Sequence, residues 1–186
     1  MRELDVSSLN KKSPYAVEMR SERDYVFHTE YGVTCVVNFM DDYSIWEEGA
    51  YQFIIGNETR QKSPNDAKLR DTITCIIEAF FNANPEILLY VCETGDGKEA
   101  LRNRLFLRWL KDYAQKEIFY VEHVEIEAEG VMNFAAIIVQ KSNPCLETII
   151  ADFRSAIDEL QKPNDIGFVF ERSENMKQSV VLPPHE

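Results

Sequence analysis

Ile87-Leu-Leu-Tyr-Val-Cys92, then Glu93-Thr-Gly-Asp-Gly97, then Lys98-Glu-Ala-Leu-Arg-Asn-Arg-Leu-Phe-Leu-Arg-Trp-Leu-Lys-Asp-Tyr113, is the stretch that decides the fold. Its first six residues are almost continuously apolar, the pattern of a strand buried on both faces. The part after Gly97 carries Leu101, Leu105 and Trp109 at helical spacing, with Phe106 and Tyr113 beside them. Between strand and helix lies a five-residue turn at the carboxyl end of the predicted central strand, where open α/β sheets place ligands. Asp96 and Glu99 are spaced as the cap and third residue of the helix that follows.

Upstream, Met1–Ser13 is polar and reads as loose chain, and Tyr15–Met19 alternates weakly as a short edge strand. Asp24–Glu30 alternates, Tyr31-Gly32 is a turn signal and Val33–Met40 is β-rich, which together predict a hairpin. Tyr51–Ile55 predicts another strand. Ser63, Pro64 and Asp66 predict a helix start with Ser63 as the cap, carried on by Leu69, Ile73, Ile76, Ile77 and Phe80 and closed before Pro85. Downstream, Ile118–Ala128 and Val131–Gln140 predict a long hairpin about Glu129-Gly130. Leu146, Ile149, Ile150, Phe153, Ile157 and Leu160 predict an amphipathic third helix, stopped by Lys162-Pro163. Ile166–Phe170 has the composition of one further strand. The order βββαβαββα places the chain in the α+β class: a mixed, largely antiparallel sheet of about six strands with three helices. One domain over residues 1–171 and a flexible tail over 172–186 complete the expected organisation.

The chain has 186 residues, 45% of them hydrophobic and 28% charged, the composition of an ordinary soluble protein. No apolar run approaches the ~20 residues of a membrane span. The first residues lack the apolar core of a signal peptide, so a cytoplasmic protein is expected. Four cysteines, Cys35, Cys75, Cys92 and Cys145, are widely spaced and form no Cys-x-x-Cys pair. Three lie in apolar stretches, and they read as reduced core thiols rather than as a catalytic cysteine, since no paired histidine is recognisable. The net charge of −12 disfavours nucleic acid as a partner, because phosphate binding draws on excess Lys and Arg.

Two candidate sites follow. The turn Glu93, Thr94, Gly95, Asp96 and Gly97 offers backbone N–H groups at a helix start, with glycines that permit unusual backbone angles. Its carboxylates suit a cation better than a phosphate, yet two are too few to predict a metal. The alternative is a capped turn with no ligand. The second site is the basic side of the helix after it. Lys98, Arg102, Arg104, Arg108 and Lys111 are five of the chain's 20 basic residues. Arg102, Arg104, Arg108 and Lys111 are the candidate partner-binding residues, and Arg104, Arg108 and Lys111 share one side. The alternative for them is a solvated face, or pairing with the acidic hairpin Glu122, Glu125, Glu127 and Glu129. His123 lies on a strand face with Glu125 and Glu127, a weaker candidate for acid–base work; His28 and His185 have less support still.

Two resemblances bear on these sites. The run Tyr90–Trp109, with Tyr31-Gly-Val-Thr34 ahead of it, resembles a small family of uncharacterised bacterial proteins of Bacteroides type, over roughly Tyr15 to Val139. Its members usually carry aspartate where Glu93 stands, and the family brings no function with it. The order of three antiparallel strands, helix, strand, helix and hairpin is similar to the core of the GCN5-related N-acetyltransferases. That resemblance implies acetyl-CoA, its pyrophosphate on a glycine-rich loop before the first core helix and its central strands splayed into a V-shaped cleft. The matching loop here, Thr59-Arg-Gln-Lys-Ser-Pro-Asn-Asp-Ala67, has no glycine, and its Asp66 opposes a pyrophosphate.

The expectation from the sequence is a non-catalytic module that binds another macromolecule, most readily a protein, with no cofactor. The alternative is an acyltransferase-like protein that binds acetyl-CoA or a related ligand.

Overall fold

The computed structural model describes residues 1–61, 64, 66–92, 99–112, 118–128 and 131–161. Its elements in chain order are α1 (Val6–Leu9), β1 (Val17–Ser21), β2 (Asp24–His28), β3 (Thr34–Asp42), β4 (Ala50–Asn57), α2 (Ala67–Ala83), β5 (Ile87–Cys92), α3 (Glu99–Asp112), β6 (Phe119–Ala128), β7 (Val131–Gln140) and α4 (Leu146–Gln161). The strands form one sheet in the order β1-β2-β3-β4-β5-β7-β6. β1 to β4 run as an antiparallel meander. β4 and β5 are parallel. β7 inserts between β5 and β6, antiparallel to both. The α+β class follows directly, a mixed and mostly antiparallel sheet with helices.

Alternation along the strands sorts the helices onto two faces. Leu88, Tyr90, Ala136 and Ile138 point to the side covered by α2 and α3 and share one core with them. Ile87, Leu89, Ile137 and Val139 point to the other side and share a smaller core with Ile149, Phe153 and Ile157 of α4. Strand β5 is therefore covered twice, which is why its sequence is apolar at every position rather than at every second one. Linked ring contacts run through the larger core. Phe39 stacks on Phe80 with centroids 5.0 Å apart, Phe53 packs on Phe106 at 5.9 Å, and Phe106 stacks on Tyr90 at 4.0 Å.

Among the described residues the sheet has seven strands rather than about six, and a fourth helix precedes it. The weakly alternating segment after Tyr15 is a true edge strand, and Val17 at its start is 1% exposed. The first thirteen residues are not loose as expected. Asp5 caps the single turn of α1 by accepting the Ser8 N–H, while Leu4 and Leu9 join the core. Arg2 N–H donates to Asn84 Oδ1 at 2.6 Å and Leu4 N–H to the Tyr25 hydroxyl at 3.1 Å. One helical turn leaves no periodicity to read. The cap of α2 is also corrected: it is Asp66, not Ser63, and the helix begins at Ala67. The expected strand Ile166–Phe170 and the tail over 172–186 lie outside the described residues.

Candidate functional site

The parallel ladder between β4 and β5 is short. It pairs Ala50 with Ile87, Tyr51 with Leu88, Gln52 with Leu89 and Phe53 with Tyr90, and there it ends. Strand β4 continues for four more residues, Ile54–Asn57, paired with β3. Strand β5 continues through Val91 and Cys92, paired with β7. Among the described residues no strand fills the gap, so the sheet opens between the carboxyl ends of two parallel strands.

Backbone direction at the gap follows from one hydrogen bond. Glu58 N–H donates to Thr34 C=O, so Glu58 faces β3. Antiparallel pairs alternate, so Gly56 and Ile54 also face β3, while Ile55 turns its N–H and C=O towards the gap. Phe106 of α3 covers the last ladder pair, since its ring packs on both Phe53 and Tyr90. One turn before it on the same helix stands Asn103, 4% exposed, whose Oδ1 has no hydrogen-bond partner. A buried amide oxygen without a donor is uncommon and costly. Asn103 was not foreseen, although a polar residue three positions before Phe106 interrupts the apolar stripe of α3 and is visible in the sequence.

At the start of α2 the situation is reversed, with both oxygens of the buried Asp66 carboxylate hydrogen-bonded. Asp66 Oδ1 accepts the Lys68 N–H at 2.9 Å, and Oδ2 accepts the Tyr15 hydroxyl at 2.8 Å. Tyr15 N–H is bound by Thr72 Oγ1 at 3.2 Å, and the Tyr15 ring stacks on Phe27. Asp66 is 8% exposed. Lys68, the nearby cation, pairs with Glu30 at 2.6 Å. The helix terminus that would attract an anion thus holds one of its own. Burial, and then the bond to Asp66, push the Tyr15 hydroxyl up to about 12.

The turn Glu93, Thr94, Gly95, Asp96 and Gly97 lies outside the described residues. On α3, Arg104 and Arg108 are exposed while Leu105, Phe106, Trp109 and Leu110 are buried, so the helix has the two different sides expected of it. Arg102 and Lys111 lie on the same helix, and their side chains are outside the description. The expected pairing of this stripe with the acidic hairpin does not hold at Glu122. That carboxylate takes two hydrogen bonds from Arg154 of α4, at 2.7 and 3.0 Å, and one from the Tyr120 hydroxyl at 2.6 Å. The reason is the pleat: Val124 and Ile126 belong to the α4 core, so Glu122, in phase with them, faces α4 and not α3. Burial raises the Glu122 carboxyl, but the Arg154 and Tyr120 bonds outweigh it and leave it below the usual carboxylate range.

His123 is exposed, and His28 is hydrogen-bonded through Nδ1 to Thr34 Oγ1 at 3.0 Å. Burial, and then the charge of Asp66, push the Cys35 thiol up to about 12, and burial followed by Glu78 raises Cys75. Neither is poised as a thiolate. Among the described residues no group of three His, Cys, Asp or Glu could hold a metal, and no helix is long and apolar enough to cross a membrane.

Residues 65–155 match the model of a family of unknown function (DUF6169). The chain is similar to that family from the start of α2 into α4. The matched stretch contains Asp66, β5, Asn103 and the exposed side of α3. No curated protein and no solved structure matches the chain significantly.

Proposed function

We propose that the chain is a non-catalytic protein-binding module whose sheet has the order of an acetyltransferase core and whose coenzyme seat is closed. The observation that carries this reading is the buried pair at the start of α2. A coenzyme diphosphate needs the free N–H groups of that helix end. Asp66 takes the Lys68 N–H and adds a negative charge, with Tyr15 locking it in place. Two of the four cysteines are in keeping with a non-catalytic role, since burial raises the Cys35 and Cys75 thiols. The exposed Arg104 and Arg108 offer a partner surface that Glu122 does not neutralise. A cytoplasmic location is part of this proposal, in keeping with four widely spaced cysteines that form no Cys-x-x-Cys pair.

A second reading, an acyltransferase-like protein that binds acetyl-CoA or a related thioester, is favoured by the opening of the β4–β5 ladder beyond Phe53 and Tyr90. Affinity purification from the native host separates the two. The tagged full chain should retain a protein partner that the Arg104→Ala, Arg108→Ala variant loses. Recovery of nothing above background, together with turnover in an acyl-transfer screen, would reject the module reading.

A further inference from the structure

The two edges of the sheet are built differently. At β1 the open side is short and blocked. The strand has five residues, and its register with β2 shifts between Met19 and Ser21. The Asn10 side chain takes both main-chain groups of Val17, accepting its N–H and donating to its C=O at 2.8 Å each. Such devices blunt an edge against unwanted pairing. At the other edge, β6 has ten residues in unbroken register with β7 and holds neither proline nor glycine. Lys141 N–H donates to Ile118 C=O at 2.8 Å, so by alternation Tyr120, Glu122, Val124 and Ile126 turn their main-chain groups to β7. Phe119, Val121, His123 and Glu125 turn theirs away from it, and among the described residues no strand lies on that side.

We propose that residues 166–170 of this same chain occupy the open side of β6 as an eighth, antiparallel strand. The path of α4 leads there. The helix starts after β7, where Asn143 donates to the Pro85 carbonyl, and by Arg154 it has advanced to Glu122 of β6. Its last residue, Gln161, is seven positions further, ~10 Å along the axis, towards the carboxyl end of β6. Twenty-five residues follow Gln161, and the first four, Lys162-Pro-Asn-Asp165, have the length and composition of a helix-to-strand turn. A strand that starts there and returns along β6 is antiparallel to it and parallel to β7.

The crossover from β7 through α4 to that strand has the expected hand. Helix α2 crosses from β4 to β5 on one face of the sheet. Helix α4 lies on the other face and follows a strand of opposite direction, while the advance across the sheet is in the same sense. The two reversals cancel, so both crossovers share one hand, and parallel crossovers are right-handed almost without exception. Composition agrees. Ile166, Phe168 and Phe170 fall on one face of such a strand, Gly167 and Val169 on the other. Helix α4 lies chiefly over β6 and leaves Val124 half-buried, whereas His123 and Glu125 on the opposite face are exposed. The large apolar face therefore belongs on the α4 side. A second copy of β6 suits this edge less well, because its glutamates would meet those of the first in a chain of net charge −12. The inference stands apart from the protein-binding reading, whose partner surface is on α3, and either can fail alone.

Nuclear magnetic resonance of the full chain tests it. In the wild type the amides of Val121, His123 and Glu125 should exchange slowly with solvent. Nuclear Overhauser contacts should join the β6 main chain to residues 166–170, in a protein of monomeric mass. Phe168→Asp should quicken those three amides about tenfold or more, the scale of one lost hydrogen bond each. It should leave the amides of Tyr120, Glu122 and Val124, which face β7, as slow as before. If that variant fails to fold, the wild-type exchange and contacts decide alone. Fast exchange at the three amides of the wild type, absence of those contacts, or unchanged protection in folded Phe168→Asp each overturns the proposal. Contacts that arise between two copies, in a protein of dimeric mass, assign the edge to a second chain and overturn it as well.

Discussion

Tyr15 donates its hydroxyl proton to Asp66 at 2.8 Å, joining the segment before β1 to the first turn of α2 across 51 residues of sequence. The bond fixes a buried carboxylate at a helix start and closes that end to other anions. Tyr15→Phe removes the donor and leaves one buried Asp66 oxygen unpartnered. The expected loss is about 1–3 kcal/mol, read from chemical denaturation. Retention of full stability would mean that the Asp66 oxygen finds another donor.

The same bond predicts a response to alkali. The Tyr15 hydroxyl is raised to about 12 in the folded protein, from the usual ~10 of a free tyrosine. The folded state holds this proton more tightly than the unfolded chain does. Its contribution is therefore complete below the unfolded value and is lost as pH rises through the folded one. Stability should fall across that window, and Tyr15→Phe should flatten the fall in part. Cys35, also raised to about 12, supplies slope of the same sign that remains in the variant. A fall of equal steepness in both proteins would contradict the assignment to Tyr15.

The buried side of α3 should carry stability. Trp109 is 7% exposed and Phe106 is fully buried over Phe53 and Tyr90. Truncation of either to Ala should cost ~3–5 kcal/mol, a large part of the stability of a domain. Thermal melts check it. A loss below about 1 kcal/mol would mean that the ring sits in a site able to collapse around the cavity.

The other side should not. Arg104 and Arg108 are exposed, and the Glu122 carboxylate expected as their counter-charge is engaged by Arg154. Arg104→Ala with Arg108→Ala should change stability by less than ~1 kcal/mol and leave its salt dependence alone. Arg154→Ala should instead lower the melting temperature at neutral pH. Glu122 has a lowered folded value, so its contribution is present above the carboxylate range and lost as pH falls through it. The difference between Arg154→Ala and wild type should close in acid. Melts at two salt concentrations and at neutral and acid pH test both statements.

Most of the fold was legible because periodicity survives burial. The run Ile87–Cys92 announced a strand covered on both faces, and the stripe from Leu146 to Leu160 a helix covered on one. The misses have local causes. Helix α1 has four residues, fewer than the spacing pattern needs. Ser63 and Asp66 are both good caps, and what favours Asp66 is Tyr15, a partner that only the folded chain brings near. Glu122 was assigned to the wrong helix because the hairpin was read as one acidic surface, whereas the pleat sends alternate residues to opposite faces. The opening between β4 and β5 has no sequence mark, since Ile54 and Ile55 read the same whether or not β5 stays beside them. Asn103 did have a mark, an amide on an apolar stripe, but that its oxygen is buried without a donor is seen only in the folded chain.

Titration calorimetry of the full chain with acetyl-CoA and with CoA, up to millimolar ligand, tests the central claim most directly. The closed helix start predicts no saturable heat from either, in the wild type. One-site binding of either ligand in the micromolar range would contradict it, and would show that the gap beyond Phe53 and Tyr90 serves a coenzyme in spite of Asp66.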